Sequence, residues 1–395
     1  MVPSSRRCAR HCCFPCLYHS LCPWTNGIDR LVGRTHFFVP SGFLITGGLY
    51  DNRNKPRRFR NFYIRRTLRI FPLFYFIWFC IFVAALFVHE HWHPLQMLWP
   101  LYLGNYARFL AGATAVDRIW TSHFAFEIGH FWSLAVEEQF YLLWPLVVYR
   151  VNNRQRLIRI CIAVIFAVLL LRILLSLLLP HRILDLEFLY RMTFSQADGF
   201  LFGGLLALLM RGPKESALLR SGSRLFTGAL AALLAVWLLH GGIHAGHLAP
   251  STPWMEEYGF TLIDLAAGGL ILCSLRPGNL LFLCMNFGPL RLLGRYSYGF
   301  YVYHVLLEPL LVVFVLKRWH IPYVLLYTVD FGIILGYLRS QLSPAGNAVF
   351  ALERTLRYPS RQSRCYRLTG EGRRPSAAGH PYEAPAILLG TEKVS

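Results

Sequence analysis

The chain has 395 residues, of which 55% are apolar and 15% aromatic, and its formal net charge is +20 at pH 7. Its mean hydropathy is +0.41, and the apolar residues fall in long blocks, which is typical of a polytopic membrane protein. The arginines lie in short clusters between those blocks rather than on a soluble domain, which argues against a nucleic-acid-binding protein. We therefore predict an all-α integral membrane protein that contacts the lipid bilayer and no nucleic acid.

Nine apolar segments approach the roughly 20 residues that a helix needs to cross a bilayer. They run over about 36–50, 68–88, 133–149, 157–179, 197–211, 224–240, 259–276, 295–316 and 321–338. The loop 51–69 is rich in arginine, whereas the loop 89–132 contains two arginines and no lysine, so the positive-inside rule places 51–69 in the cytoplasm. Alternation then places the basic loops 150–156, 211–224 and 276–295 on the same side, and 241–258, which has no Lys or Arg, outside.

The segment HFWSLAVEEQFY (130–141) combines several ionisable groups with an otherwise apolar sequence. A carboxylate near a helix start gains from the free backbone amides, so Glu137 and Glu138 could simply cap a helix. His130 and Ser133 lie within two turns, however, and an ionisable group inside a membrane usually marks a functional site. The segment therefore favours a functional site over a cap.

Arg66 and Arg69 lie at the start of the second apolar segment, three residues apart and so on one helix face. Their forked guanidinium donors suit the phosphates of an anionic ligand. The alternative is that both side chains only extend to the membrane surface.

His304 and Glu308 lie one helical turn apart in the eighth apolar segment, near Tyr298 and Tyr301. This pattern predicts either a buried hydrogen-bonding cluster or a histidine that takes part in chemistry. Asp198 and Asp264 are further carboxylates in apolar segments, and each alone is a weak signal.

Metal binding is not expected. The run HEHWH (89–93) is followed by Pro94, and the cysteines of CARHCCFPC (8–16) lack paired C-x-x-C spacing, so neither matches a zinc site. The ten cysteines form no legible disulfide framework.

Five ordered motifs resemble the integral-membrane acyltransferase-3 family of bacterial O-acyltransferases, which modify surface polysaccharides, lipopolysaccharide, peptidoglycan and some exported small molecules. The motifs are FFVPSGFLIT (37–46), FYIRRTLRIFP (62–72), HFWSLAVEEQFYLLWP (130–145), ADGFLFGGLLA (197–207) and LGRYSYGFYVYH (293–304). The resemblance implies a ten-helix bundle in the bacterial inner membrane, with one helix before residue 36.

The resemblance also implies a reaction. The donor would be an acyl-CoA, with acetyl-CoA expected, bound on the cytoplasmic side by Arg66 and Arg69. The acceptor would be a hydroxyl of a cell-surface polysaccharide, lipopolysaccharide or related exported glycan at the outer face, activated by Glu137 with His130. Glu137 is expected to act rather than Glu138 because its place in the motif matches the family's firmer position, and His304 would support the site from within the bundle.

One family feature is missing from this sequence. The first helix of the family carries an arginine, ten residues and then a histidine, but no Lys or Arg stands eleven residues before His11, His19 or His36. A one-base shift in the codons of 9–20 permits an apolar helix with that spacing, and the same shift over 341–348 permits the family's closing motif. We therefore expect an atypical, out-of-frame N-terminus over 1–35, a membrane acyltransferase domain over 36–338, and a basic tail over 339–395 that is disordered or out of frame.

Two other functions stay open. A transporter or flippase would use buried charges to line a path, although no internal hydropathy symmetry supports it. The missing histidine would instead suit a catalytically inactive acyltransferase-like protein that only binds donor or glycan.

Overall fold

The computed structural model describes residues 37–87, 92–111, 128–179, 188–240 and 252–288, together with 290, 294, 297–299, 301–302 and 332. The helices within this part of the chain are, in order, α1 Phe38–Asn52, α2 Arg58–Phe87, α3 Gly104–Ala111, α4 Trp132–Arg150, α5 Arg154–Leu178, α6 Phe188–Arg191, α7 Ala197–Leu209, α8 Glu215–Leu239, α9 Phe260–Leu275 and α10 Leu280–Met285. Short 3₁₀ turns, Pro94–Leu98, Gly129–Phe131 and Thr193–Gln196, precede α3, α4 and α7, and a π-turn, Met255–Gly259, leads into α9.

The all-α prediction is confirmed for the described residues, which contain helices and no strand. Among the residues that the structure describes, four stretches are long and apolar enough to cross a membrane, namely α2, α5, α8 and the combined turn and helix Met255–Leu275. The helices α1 and α7 have 15 and 13 residues and are shorter. Apart from residue 332, the predicted segment 321–338 lies outside the described residues, as does most of 295–316, so the count of nine crossings stays a prediction.

Two helices begin earlier than their apolar segments. The second apolar segment starts at about residue 68, yet α2 begins at Arg58, and the sixth starts at about 224, yet α8 begins at Glu215. Hydropathy detects only the apolar part of a helix, whereas arginine is itself a good helix former. Most of the predicted basic loop 51–69 therefore forms the first turns of α2.

Glycines let α1 and α7 approach backbone to backbone. A Cβ added to Gly42 would lie 1.9 Å from the carbonyl oxygen of Phe200, and one added to Gly203 would lie 1.9 Å from that of Val39. No side chain fits at either position, as at the small-residue contacts between membrane helices. This close approach fixes α1, which carries Ser41, against the bundle.

The basic loops around residues 51–57, 151–153 and 210–214 lie at one end of the bundle. Arg211 makes a bidentate contact with Asp51, with atoms 2.7 and 2.6 Å apart. Arg154 Nη1 donates to the carbonyl oxygen of Leu208 at 3.2 Å. The three loops thus share one side, as alternation requires, and the assignment of that side to the cytoplasm stays a prediction.

Candidate active site

Glu137 lies in the second turn of α4 and is buried. Ser41 Oγ donates a hydrogen bond to Glu137 Oε1 at 3.1 Å, and Tyr141 OH donates one to Oε2 at 3.0 Å. The Ser41 and Tyr141 hydroxyl oxygens are themselves 2.6 Å apart. The carboxylate therefore contacts hydroxyl groups rather than the free amides of the first turn, so Glu137 does not cap the helix.

Arg66 reaches the same site from α2. Its Nη2 lies 3.9 Å from Glu137 Oε2, and its Nε lies 3.9 Å from Glu138 Oε1. The guanidinium carbon stands 3.7 Å from the centre of the Tyr141 ring, which is a cation–π contact. These distances are too long for direct hydrogen bonds. The Arg66 side chain is 18% exposed and its Nε is buried, so the terminal nitrogens are the donors that a bound anion could reach.

Sequence-based prediction assigned Arg66 to the cytoplasmic side and Glu137 to the outer face, and the structure brings their side chains together in one cluster. The helices α2 and α4 run antiparallel, with Phe59 against Tyr149 at one end and Phe74 against Phe131 at the other. Arg66 is seven residues from Phe59 and eight from Phe74, or roughly 11 and 12 Å along the helix. The cluster therefore lies within the stretch over which these two helices pack together, away from both of its ends.

The remaining predicted residues occupy different positions. Arg69, one turn beyond Arg66, is exposed. His130 is buried in the 3₁₀ turn before α4, where its backbone carbonyl accepts a hydrogen bond from Tyr301 OH. The Tyr301 hydroxyl also lies 2.6 Å from Ser133 Oγ, so this cluster is built around Tyr301 rather than around Glu137. His304 lies outside the described residues.

Gln139 ties α4 to the segments at the end of the bundle away from the basic loops. Its Nε2 donates to the carbonyl oxygen of Tyr102 at 2.7 Å and to Asn105 Oδ1 at 3.0 Å. Thr193 Oγ1 donates to its Oε1. Three consecutive residues of α4 therefore differ in role, because Glu137 faces α1, Glu138 faces Arg66, and Gln139 anchors the connecting segments.

A second buried charge cluster joins α5, α7 and α9. Arg172 donates to Asp198 through Nη2 at 2.6 Å and through Nη1 at 3.2 Å, and Nη1 also donates to the Ser195 carbonyl at 2.8 Å. Thr261 Oγ1 completes the contact by donating to Asp198 at 2.9 Å. Asp264 is next to this pair, since a Cβ on Gly199 would lie 3.0 Å from either of its carboxylate oxygens.

Sequence patterns left out Ser41, Tyr141 and Arg172. Tyr141 could have been found, because it follows Glu137 by four residues and so shares its helix face. Ser41 and Arg172 acquire their roles only through contacts between helices, which no local spacing reveals. Within the described ranges, no three His, Cys, Asp or Glu side chains are grouped so that they could hold a metal ion.

The residues that form these clusters lie within a part of the chain that matches a known protein family. The sequence profile of the family described as "Acyltransferase domain" matches residues 30–337. The chain belongs to this family.

Individual relatives are similar over the same part of the chain. YrhL of Bacillus subtilis (strain 168) is 29% identical over 298 residues, which are 73% of this chain and 45% of the relative. O-acetyltransferase OatA of Staphylococcus aureus (strain NCTC 8325 / PS 47) is 26% identical over 301 residues, covering 73% of this chain and 47% of the relative. Peptidoglycan O-acetyltransferase OatA of Listeria monocytogenes serovar 1/2a is 25% identical over 299 residues, covering 73% and 46%. The chain thus matches less than half the length of these curated relatives, and no solved structure matches it significantly.

Proposed function

We propose that the chain is a multi-pass O-acyltransferase of the bacterial inner membrane. It moves an acyl group, expected to be acetyl, from cytoplasmic acyl-CoA to a hydroxyl of a cell-surface glycan. The names of the relatives favour peptidoglycan as acceptor, and lipopolysaccharide or another exported polysaccharide is the alternative. The observation that carries the proposal is the buried Glu137 carboxylate, held by two hydroxyls beside Arg66 where two antiparallel helices pack together.

The chemistry of the reaction matches this cluster. Transfer to an alcohol needs a base that takes the hydroxyl proton and a positive group that stabilises the oxyanion formed at the thioester carbon. Glu137 is the base in this proposal. Arg66, which makes no direct hydrogen bond within the described residues, stabilises the developing negative charge or holds a donor phosphate.

The other predicted residues have secondary roles here. Arg69 is exposed one turn from Arg66 and would contact the charged part of the donor. His130 would orient the acceptor from the start of α4, where its carbonyl oxygen accepts a hydrogen bond from Tyr301. His304 would support the site from the predicted eighth segment. No metal is required, because the base and the positive group are both side chains of the chain.

The first experiment measures transfer by Glu137→Gln. Membranes that contain the chain receive labelled acetyl-CoA, and the label in the glycan is measured over time. Glu137→Gln keeps the side-chain shape but removes the base, so we expect transfer to fall by about 100-fold or more. Glu138→Gln is the matched control, because this neighbouring carboxyl makes no described hydrogen bond to Ser41 or Tyr141, and it should retain most of the activity.

Each other outcome has a clear meaning. Full transfer by Glu137→Gln would contradict the role of Glu137. Donor binding without any transfer by the wild-type chain would favour the acyltransferase-like protein that has lost activity, which the missing Arg-ten-His pair makes the main rival. Transport of a glycan without acylation would favour a flippase.

A further inference from the structure

Ser41, Glu137 and Tyr141 form a closed ring of oxygen contacts, which we call the hydroxyl–carboxylate ring. Every pair in the ring is within hydrogen-bond distance, at 3.1 Å from Ser41 to Glu137, 3.0 Å from Tyr141 to Glu137 and 2.6 Å from Ser41 to Tyr141. The two carboxylate oxygens are used separately, Oε1 by Ser41 and Oε2 by Tyr141. Such rings inside an apolar bundle strengthen each contact through the others.

The number of protons in the ring determines how many of its three oxygen contacts can be hydrogen bonds. Each hydroxyl has one proton, and an ionised carboxylate has none. Two protons therefore serve three oxygen contacts when Glu137 is ionised, and one contact lacks a proton. When Glu137 is protonated, three protons serve three contacts, and every oxygen group both donates and accepts. The ring thus has a place for one additional proton, and it gains a contact when that proton arrives.

Arg66 compensates the charge of the ionised ring. It lies 3.9 Å from Glu137 Oε2 and covers the face of the Tyr141 ring. Both the carboxylate and the phenol therefore have the same cation beside them, while none of the guanidinium donors occupies a hydrogen-bonding position on the ring. The lone pairs in the ring stay available for proton transfer.

Ser41 is the ring member that belongs to α1, whereas Glu137 and Tyr141 both belong to α4. Ser41 Oγ contacts both other members, at 3.1 Å to Glu137 Oε1 and 2.6 Å to Tyr141 OH. Two routes then lead from Ser41 to the carboxylate, one directly to Oε1 and one through Tyr141 to Oε2.

We infer that Ser41 and Tyr141 relay the proton of the acceptor hydroxyl to Glu137 during acyl transfer. This inference rests on the proposed function and deepens it. The acceptor oxygen forms its bond to the thioester carbon, the bond from carbon to sulfur breaks, and the acceptor proton moves through Ser41 into the ring. Glu137 holds that proton and then gives it to the CoA thiolate, so the products are the ester and CoA thiol and no further reactant is needed.

The same helix interface offers a control. Trp144 Nε1 donates to Thr46 Oγ1 at 2.8 Å, which joins α4 to α1 about one turn from the ring. Thr46→Val removes a buried hydroxyl and a hydrogen bond from this interface without touching the ring. It therefore reports the effect of weakening the contact between α1 and α4 alone.

The test compares wild type, Ser41→Ala, Tyr141→Phe and Thr46→Val, with acetyl-CoA as donor and isolated cell-wall glycan as acceptor. We expect the two ring variants to lower kcat by about 10- to 100-fold, within the range of general acid–base catalysis, with the KM for acetyl-CoA unchanged. Transfer rates measured in mixtures of H₂O and D₂O should show several protons moving together in wild type and in Thr46→Val, and fewer in both ring variants.

The alternatives are separable. Transfer by the ring variants with wild-type kcat and isotope effect would overturn the relay and leave the proposed function intact. An equal loss in Thr46→Val would assign the loss to helix packing and overturn the relay. An acyl group found on Ser41 by peptide mass spectrometry after incubation with donor alone would overturn it too, because Ser41 would then carry the acyl group. Absence of transfer by the wild-type chain would overturn the proposed function and the relay together.

Discussion

Two clusters in this bundle contain the same kinds of side chain but differ in ion-pair distance and in burial of the arginine. Each contains one arginine and two carboxylates, as follows: Arg66, Glu137 and Glu138 in the first, and Arg172, Asp198 and Asp264 in the second. We call them the Arg66 cluster and the Arg172 cluster. In the first, the ion-pair distances are both 3.9 Å and the arginine side chain is 18% exposed. In the second, the ion pair is 2.6 Å long and the arginine is fully buried.

The difference indicates that the Arg172 cluster stabilises the fold, whereas the Arg66 cluster has donors that could bind a ligand. Arg172 directs its hydrogen bonds to Asp198, Thr261 and a backbone carbonyl, and so connects three helices. Arg66 directs none at a described residue and stands over an aromatic ring. An arginine that protein acceptors already occupy has little to offer a ligand, whereas one held by loose ion pairs and a ring face can bind a new anion.

The largest expected effect comes from Arg172→Met compared with Arg66→Met. Arg172→Met leaves Asp198 buried without its cation, and breaking such a pair typically costs about 3–5 kcal/mol. Arg66→Met should change stability little, because Glu137 keeps both hydroxyl donors and its ring can take up a proton, but transfer should be lost. Thermal unfolding in detergent measures the first effect, and label transfer measures the second. Equal destabilisation by the two variants would end the distinction between the clusters.

The sequence predicted the position of the Arg66 cluster better than its connections. Arg66 and Glu137 were both expected in a functional site, because charges beside apolar segments are expensive to keep. Their contact was not expected, since sequence-based prediction placed Arg66 at the cytoplasmic start of the second segment and Glu137 at the outer face. The structure extends that helix back to Arg58. Arg66 and Glu137 are 71 residues apart in the chain, and a side-chain contact between such distant residues depends on helix packing, which a single sequence does not reveal.

The residues of the Arg172 cluster, by contrast, gave weak signals or none in the sequence. Asp198 and Asp264 were each weak signals, and Arg172 drew no attention within a long apolar segment. All three are buried, and their meaning lies in their combination. A cation in one apolar segment together with carboxylates in two others could have suggested a buried pair, but not which carboxylate it would contact.

A smaller effect should separate the two carboxylates of the Arg172 cluster. Asp198 makes both direct contacts with Arg172, whereas Asp264 packs beside Gly199, next to Asp198. Asp198→Asn should therefore destabilise the chain by about 3 kcal/mol or more, and Asp264→Asn should be nearly neutral because it removes no direct contact with Arg172. Unfolding of both variants in the same detergent compares them directly. If Asp198→Asn proved as mild as Asp264→Asn, either aspartate could serve as the counter-ion.

The smallest effect is expected at a third arginine–carboxylate pair, which lies at the end of the bundle with the basic loops. Arg211 also makes a bidentate contact, through Nε and Nη2 to Asp51 rather than through the two Nη atoms that Arg172 uses, but the Asp51 side chain is 49% exposed. Water already solvates this carboxylate, so Asp51→Asn should cost only about 0.2–1 kcal/mol. The loss of stability should be smaller still at about 1 M salt, because exposed charges more than roughly 3 Å apart are then largely screened from each other. A loss as large as that of Asp198→Asn, and independent of salt, would mean that bidentate geometry rather than burial determines the strength of these pairs.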